Sequence, residues 1–240
     1  MAAGTGVQAL GTLPGATYQT YARGLNDRGQ VVGTSYTDQG QAHAFLWEAQ
    51  TGMRDLGTLP GGDSATALGI NNSGQVVGWA PTSSGEGHAF VWQAGTSMRD
   101  LGTLPGGSSS IAFGINDWGQ TVGTAKTAGG LDHAFVWEAG KGMQDLGTLP
   151  GGSSSFATGI NNLGQIVGWS NTVLAPGAAP HRAFLWQAAT DMQDLGVLPG
   201  GDSSEAYGIN NRGQIVGIGY GQGVRAVLWQ PAGTGPAPTP

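Results

Sequence analysis

Three carboxylates stand where this chain could carry out acid–base chemistry. Asp63 and Asp202 follow Leu-Pro-Gly-Gly segments, at a place where other copies of that segment have serine, and Glu205 follows Asp202 closely. Hydrolysis of a glycosidic bond needs two such groups, one acting as acid and one as nucleophile or base. Asp63 belongs to a different copy from the other two, and the intervening copies offer only serines. We therefore expect no enzyme, and a polysaccharide-active glycosidase with these carboxylates remains the less favoured alternative.

Aromatic residues mark a second set of departures from the repeated pattern. Trp79 and Trp169 end predicted strands beside the loops that vary most in length, and Tyr36 lies in one of those loops. Exposed rings near Asp, Asn and Gln side chains suit stacking on a sugar and hydrogen bonding to its hydroxyls. With the three carboxylates they form the predicted ligand site: Tyr36, Trp79, Trp169, Asp63, Asp202 and Glu205. Packing of these rings at the rim without any ligand is the alternative.

The four histidines do not predict a metal site. They enter equivalent strands of successive repeats, which in a ring of sheets places neighbouring copies roughly 18 Å apart, far beyond a ligand distance of about 2 Å. We expect each histidine to anchor its loop by hydrogen bonds instead, and the recurrent Asp55, Asp100, Asp145 and Asp194 to bind backbone at a tight junction. The chain has no cysteine and no Gly-x-Ser-x-Gly motif. No cofactor is expected, and calcium dependence stays open.

Charge and length restrict the partners. The chain has 240 residues, with 9 Lys and Arg against 15 Asp and Glu, giving a net charge of −6. A phosphate backbone needs a basic surface, so we expect no nucleic-acid partner. No apolar run is long enough for a membrane span and no signal peptide is recognisable, so we expect no membrane insertion.

A fivefold repeat organises the whole chain. Its Leu-Pro-Gly landmark recurs at Leu13, Leu59, Leu104, Leu149 and Leu198, and a strand-ending tryptophan recurs at Trp47, Trp92, Trp137, Trp186 and Trp229. The resulting period of 43 to 49 residues is typical of propellers. Each period predicts four short strands, in the fourth copy around 155–161, 165–170, 182–187 and 192–198. Asn161-Asn-Leu-Gly164 and its equivalents predict the turn between the first two.

The two ends of the chain complement each other. Residues 7–13 match an isolated fourth strand, and the last repeat stops after its third strand, Val224 to Gln230. We therefore predict an all-β, closed five-bladed β-propeller with four antiparallel strands per blade, in which the N-terminal strand completes the last blade. An open right-handed β-solenoid is the alternative. Because closure would cover both ends, we expect a monomer.

The domain limits follow from the same repeat. Residues 1–6 form an N-terminal segment and residues 7–230 the propeller. Its blades lie at about 16–59, 62–104, 107–149, 152–198, and 201–230 plus 7–13. Residues 231–240 are rich in proline and form a tail or linker.

The repeat resembles the extracellular HAF-repeat family, named for a His-Ala-Phe signature. The signature occurs at His43-Ala-Phe45, His88-Ala-Phe90 and His133-Ala-Phe135, together with Asp-Leu-Gly-Thr-Leu-Pro-Gly-Gly. The fourth copy departs from it with His181-Arg-Ala-Phe184, and the last with Arg225-Ala-Val227. The resemblance implies a bacterial protein that is secreted or exposed at the cell surface, and it carries over no catalytic residues.

These observations favour a secreted, non-catalytic binding module. Its loop-bearing face would recognise a glycan or another extracellular partner, such as a protein. A purely structural or protein-docking scaffold is the main alternative.

Overall fold

The computed structural model describes residues 6–16, 19–172 and 180–231. Within these ranges the chain has 19 β-strands and no helix, and the strands form five antiparallel sheets. Four sheets have four strands each and the last has three. The all-β prediction and the division into five repeated sheets are therefore confirmed.

The strands follow the repeat in chain order. The first sheet contains β1 (Thr20–Leu25), β2 (Val31–Tyr36), β3 (Ala42–Glu48) and β4 (Gly52–Asp55). The second contains β5 (Thr66–Ile70), β6 (Val76–Pro81), β7 (Gly87–Trp92) and β8 (Arg99–Asp100). The third contains β9 (Ser110–Ile115), β10 (Thr121–Lys126), β11 (Asp132–Glu138) and β12 (Gly142–Asp145). The fourth contains β13 (Ser155–Ile160), β14 (Ile166–Asn171), β15 (His181–Gln187) and β16 (Asp191–Asp194). The fifth contains β17 (Ser203–Ile209), β18 (Ile215–Gly221) and β19 (Gly223–Trp229).

A glycine in the second strand of each sheet lets two backbones approach closely. The register of β13 on β14 shifts between Ala157 and Gly159, which marks a bulge. Opposite that bulge, a Cβ atom on Gly168 would lie 1.8 Å from the Phe156 carbonyl oxygen. The equivalent glycines would meet a carbonyl oxygen equally closely: Gly33, Gly78, Gly123 and Gly217. Only glycine fits at this position of the repeat.

Each sheet packs on the next through two different faces. One, the outgoing face, is turned toward the following sheet and presents small and branched residues, as Val167 and Ala183 do in the fourth sheet. The other, the incoming face, is turned toward the preceding sheet and presents larger residues, as Ile166 and Phe184 do. All four of these side chains are fully or almost fully buried. The junction between sheets is therefore heterologous, with unlike surfaces in contact.

Asparagine side chains tie the first turns of neighbouring sheets together. Asn26, Asn71, Asn116 and Asn161 each donate an amide N–H to the backbone carbonyl of the next sheet's equivalent residue, at 2.9 to 3.0 Å. In parallel, each following backbone N–H donates to a side-chain oxygen one sheet further on, at 2.8 to 3.0 Å. We call these two rows of bonds the hub ladder. The five turns converge on one open pocket of about 290 Å³.

The predicted closure of the ring is wrong. Residues 7–13 form no strand, and within the described ranges the fifth sheet has only three. Leu13 and Ala16 pack instead against Phe45 on the incoming face of the first sheet. The outgoing face of the fifth sheet is uncovered, with Val216 52% and Leu228 51% exposed. The sheets therefore match a propeller only loosely. The repeat specifies how each sheet packs on the next. A closed ring also requires the angles between neighbouring sheets to bring the fifth sheet back against the first.

The other limits of the predicted elements agree in part with the structure. The fourth strand of the fourth sheet ends at Asp194, short of the predicted 192–198. The predicted N-terminal segment and C-terminal tail lie almost wholly outside the described residues, as do positions 173–179 of the long fourth-repeat loop.

Candidate functional site

A stack of three rings distinguishes the fourth sheet from the others. Trp169 on β14 lies between Phe156 on β13 and His181 on β15, with ring centroids 4.2 Å apart on each side. The ring planes are within 21° and 24° of parallel. Because both faces of the Trp169 indole are covered, it is not the free stacking platform that the sequence predicts. One face of the Trp169 indole packs against the His181 ring and holds it in place.

A shift of one residue places His181 in this stack. In the first three sheets the histidine of the repeat bonds the aspartate of the fourth strand, as His133 Nδ1 does with Asp145 at 2.8 Å. In the fourth sheet Arg182 occupies that position and pairs with Asp194 at 3.4 Å. His181 comes one residue earlier, and since side chains alternate along a strand it lies on the opposite face, toward the fifth sheet. Ala42, Gly87 and Asp132 hold the equivalent positions elsewhere.

The sequence suggested that the recurrent histidines anchor their loops. The structure shows a different role for them. His43, His88 and His133 join the third and fourth strands through aspartate, at 2.7 to 2.8 Å. The aspartates also bind backbone, as predicted: Asp145 Oδ1 accepts the Gly147 N–H at 2.7 Å.

Glu205 on β17 is the polar centre of the junction between the fourth and fifth sheets. Its Oε2 accepts the Tyr207 hydroxyl at 2.9 Å. Its Oε1 lies 3.1 Å from His181 Nδ1 and 3.3 Å from the Tyr220 hydroxyl. The carboxylate is 15% exposed and the His181 side chain 38% exposed. Three neighbours thus hold the carboxylate in one orientation, with an edge that solvent can reach.

The two tyrosines stay protonated over the whole ordinary pH range. Partial burial, followed by the hydrogen bond and negative charge of Glu205, raises the pKa of Tyr207 from 10.0 to about 12. Burial and the same carboxylate also raise the pKa of Tyr220. Both phenols therefore remain hydrogen-bond donors to Glu205.

These groups border a small polar pocket. His181, Asp202, Ser203, Glu205 and Tyr220 line a volume of about 240 Å³. The lining offers two carboxylates, a hydroxyl, an imidazole and a phenol ring within one concavity. Such a set can accept hydrogen bonds from ligand hydroxyls and place a ring against a ligand's apolar face. We call this the Glu205 pocket.

The structure brings together only part of the predicted site. Asp202 and Glu205 line the pocket, and Trp169 supports it through His181. Tyr36 belongs to the first sheet, where it meets Tyr21 edge to face at 6.3 Å. Trp79 lies on the second sheet opposite Thr66, which takes the place of Phe156. Asp63 precedes the second sheet, accepts a bond from Ser64 at 3.2 Å, and does not line the Glu205 pocket.

Sequence reasoning missed Phe156, His181, Tyr207 and Tyr220. The signal for His181 was present in His181-Arg-Ala-Phe184, because counting back from the shared Ala-Phe places the histidine one position early. Tyr220 carries no comparable signal, since its relation to Glu205 depends on the pairing of β17 with β18. Tyr207 lies two residues after Glu205 on the same strand, a spacing that the sequence does show.

Neither a metal cluster nor a membrane span is evident in the part of the chain that the structure describes. No three His, Asp or Glu side chains come close enough there to hold an ion. Nor is any helix present that is long and apolar enough to cross a bilayer.

Comparisons with known proteins extend the description of the fold. No family model matches the sequence, and no curated protein matches it. Among solved structures, TolB from Acinetobacter baumannii superposes with a TM-score of 0.56 at 15% identity, over 88% of this chain and 54% of TolB. AofleA from Arthrobotrys oligospora gives 0.47 at 11% identity, and its triple arginine-to-alanine mutant 0.44 at 13%, each over 90% of this chain and 72% of the other. The chain thus spans about half of TolB, and that likeness shows a β-propeller-like arrangement of sheets.

Proposed function

We propose that this chain is a non-catalytic binding module that recognises a glycan in the Glu205 pocket. The observation that carries the proposal is the Glu205 carboxylate, fixed by Tyr207, Tyr220 and His181 beside a stack of three rings. None of these contacts recurs in the other sheets, within the part of the chain that the structure describes. Here the repeat departs from its own pattern and assembles polar and aromatic groups around a concavity.

The chemistry of the pocket matches a sugar better than an apolar ligand. Pockets for drug-sized ligands measure roughly 300 to 1,000 Å³, so a pocket of about 240 Å³ suits a smaller ligand such as a single sugar unit. Asp202 and Glu205 supply acceptors for neighbouring hydroxyls, and Ser203 can both donate and accept. The rings of Tyr220 and His181 supply surfaces for the C–H face of a pyranose.

The environment of Glu205 supports recognition without turnover. A glycosidase needs one carboxyl group that gives a proton to the departing oxygen. Glu205 is instead surrounded by donors, an arrangement that suits a fixed acceptor. Asp63, the third carboxylate of the predicted axial set, does not line this pocket. The proposal keeps the module outside the cell, on the strength of the HAF-like repeat in its sequence.

The first test is binding of the purified chain to a glycan and polysaccharide array, with and without calcium. We expect saturable binding to a group of related sugars and no release of reducing ends over extended incubation. Sugar release that stops in Glu205→Gln would identify a glycosidase and overturn the non-catalytic part of the proposal. A blank array with capture of a defined protein partner would favour the docking scaffold.

Three variants locate the site once a sugar is found. Glu205→Gln removes the charged acceptor and His181→Ala removes one wall, so each should weaken binding by at least about tenfold, as loss of a central contact does. Trp169→Ala removes the support of His181 and should weaken binding by a smaller factor. Trp79→Ala is the matched control, because it truncates an equivalent tryptophan in a sheet without the ring stack, and it should bind normally. Equal affinity in Glu205→Gln and the wild type would exclude this pocket.

A further inference from the structure

The four junctions between successive sheets show which contacts are missing at the two end sheets. At each junction the outgoing face of one sheet meets the incoming face of the next, and the hub ladder crosses between their turns. The outgoing face of the fifth sheet and the incoming face of the first are therefore the two unlike halves of a fifth junction. Each half can be compared with four covered equivalents.

The outgoing face of the fifth sheet is exposed at its apolar centre. Val216 is 52% exposed, whereas its equivalents are fully buried: Val32, Val77, Val122 and Val167. Ala226 is also exposed, whereas its equivalents are fully buried: Ala44, Ala89, Ala134 and Ala183. Leu228 is 51% exposed beside them. The fifth sheet thus presents the same valine and alanine that are buried at the other junctions, but no sheet covers them.

The incoming face of the first sheet is uncovered on its inner half. Ala22 is exposed, whereas Ala67, Ala112, Ala157 and Ala206 are fully buried. Leu25 is 68% exposed beside it. The outer half of this face differs, because Leu13 and Ala16 already cover Phe45. The uncovered part lies where a preceding sheet would place its branched residues.

The polar ends of the hub ladder are complementary as well. Among the described residues, the Asn210 side-chain amide donates only to Gln214, whereas the four equivalent asparagines also reach a carbonyl in the next sheet. At the other end, the backbone carbonyl of Asn26 holds the position that accepts this bond in every later sheet. Asp27 likewise holds the position of the accepting side chain. The hub ladder therefore ends in hydrogen-bond donors at the fifth sheet and in hydrogen-bond acceptors at the first sheet.

The outer edge of β19 is a further feature that could pair with another chain. Among the residues that the structure describes, β19 has no fourth strand beside it, whereas β3, β7, β11 and β15 are each paired on that side. Residues 7–9 are exposed, and Val7-Gln-Ala-Leu10 matches Met192-Gln-Asp-Leu195, which includes most of β16. An exposed edge is a template for another chain.

We propose that a second copy of this chain docks head to tail, its first sheet covering the outgoing face of the fifth sheet. Residues 7–9 of that copy then pair with β19, and its Asn26 and Asp27 continue the hub ladder from Asn210 and Asn211. The new junction repeats an interface that the chain already forms four times. Because the two halves are unlike, each dimer keeps one free half at each end, and further copies can add to a ring or a filament.

Sedimentation velocity over a range of protein concentrations tests the assembly. The wild type should associate as concentration rises, through dimers to larger species. Val216→Lys with Leu228→Lys blocks the outgoing half, and Ala22→Lys with Leu25→Lys blocks the incoming half. These positions are exposed in the single chain, so both variants should fold, as circular dichroism would verify, and each alone should stay monomeric.

Mixing the two blocked variants gives the decisive result. Each retains one intact half, so an equimolar mixture should form dimers of one of each kind and nothing larger. A monomeric wild type at the highest concentration, association of either blocked variant alone, or a monomeric mixture would each overturn the proposal.

A cross-link distinguishes assembly from closure within one chain. The protein contains no cysteine, so no native thiol competes with Asp27→Cys and Asn211→Cys introduced into the same chain, and peptide mapping identifies the disulfide between positions 27 and 211. Oxidation should yield covalent dimers and longer species. A monomer with an internal disulfide would show that the ends meet within one chain, and would contradict docking of a second copy.

Discussion

At position 205 the fifth sheet departs from the repeat. The equivalent residues of the other sheets are Tyr21, Thr66, Ile111 and Phe156, none of which carries a charge. Glu205 instead fixes two phenols and an imidazole around one carboxylate. Its presence in the strand was visible in the sequence, whereas its contacts with His181 and Tyr220 were not, because those residues come from two other strands.

The tyrosine hydroxyls give a direct measure of that carboxylate. Burial and Glu205 together raise the pKa of Tyr207 to about 12. Glu205→Gln removes the charge but not the burial, so the pKa of Tyr207 should fall while staying above 10.0. The tyrosinate absorbance during an alkaline titration measures this change, with Tyr207→Phe identifying the transition. An unchanged titration curve would show that the carboxylate is not beside this phenol.

Asp117 makes a further prediction at the residue scale. Hydrogen bonds from the Asn162 side chain and from Asn72 hold the pKa of Asp117 below its usual 3.8. A lowered pKa in the folded state means that the ionised group stabilises the fold above 3.8 and that this contribution is lost as the pH falls through the folded value.

Denaturant unfolding at a series of acidic pH values checks it. The free-energy difference between the wild type and Asp117→Asn should be largest near neutral pH and shrink below 3.8. A difference that does not change with pH would contradict the role of the ionised carboxylate.

At the scale of the element, the bulge and its glycine decide how the first two strands of a sheet pair. The sequence shows glycine at the same place in every copy, but a glycine within a strand can mark a bulge, a bend or a close contact. The structure resolves the choice, because a Cβ at Gly168 would overlap the Phe156 carbonyl.

Gly168→Ala should therefore destabilise the fold by about 1 to 3 kcal/mol or more, the usual cost of overfilling a packed site. Gly221→Ala is the matched control in a neighbouring sheet, since its nearest atoms would lie 3.8 Å from the new Cβ. Chemical denaturation of both variants measures the difference. Equal stabilities would show that the strands can separate without cost at the bulge.

Elements were predictable where the cause is local, and less so where it depends on neighbours. Strand order and the asparagine turns follow from alternation and turn chemistry within one repeat, and the structure confirms both. The histidine–aspartate pairs join residues 12 apart on two strands, and the sequence suggested a loop role instead. The cross-sheet half of the hub ladder joins residues 45 to 49 apart, which no local pattern reveals.

At the scale of the whole molecule, the sequence predicted a closed ring and the structure shows an open series of five sheets. The complementary ends of the chain led to the prediction of a closed ring. Closure also requires the summed angles between neighbouring sheets to bring the fifth sheet into contact with the first. Those angles arise from packing at four junctions, and no single residue encodes them. The same complementarity, left unsatisfied within one chain, underlies the proposed head-to-tail assembly.

Glycan-array binding by three proteins in parallel tests the central claim most directly. The wild type and Trp79→Ala should bind the same related sugars with the same affinity, and Glu205→Gln should lose them, with all three unfolding at the same denaturant concentration. A blank array for the wild type, or sugars retained by Glu205→Gln, would contradict a glycan site in the Glu205 pocket.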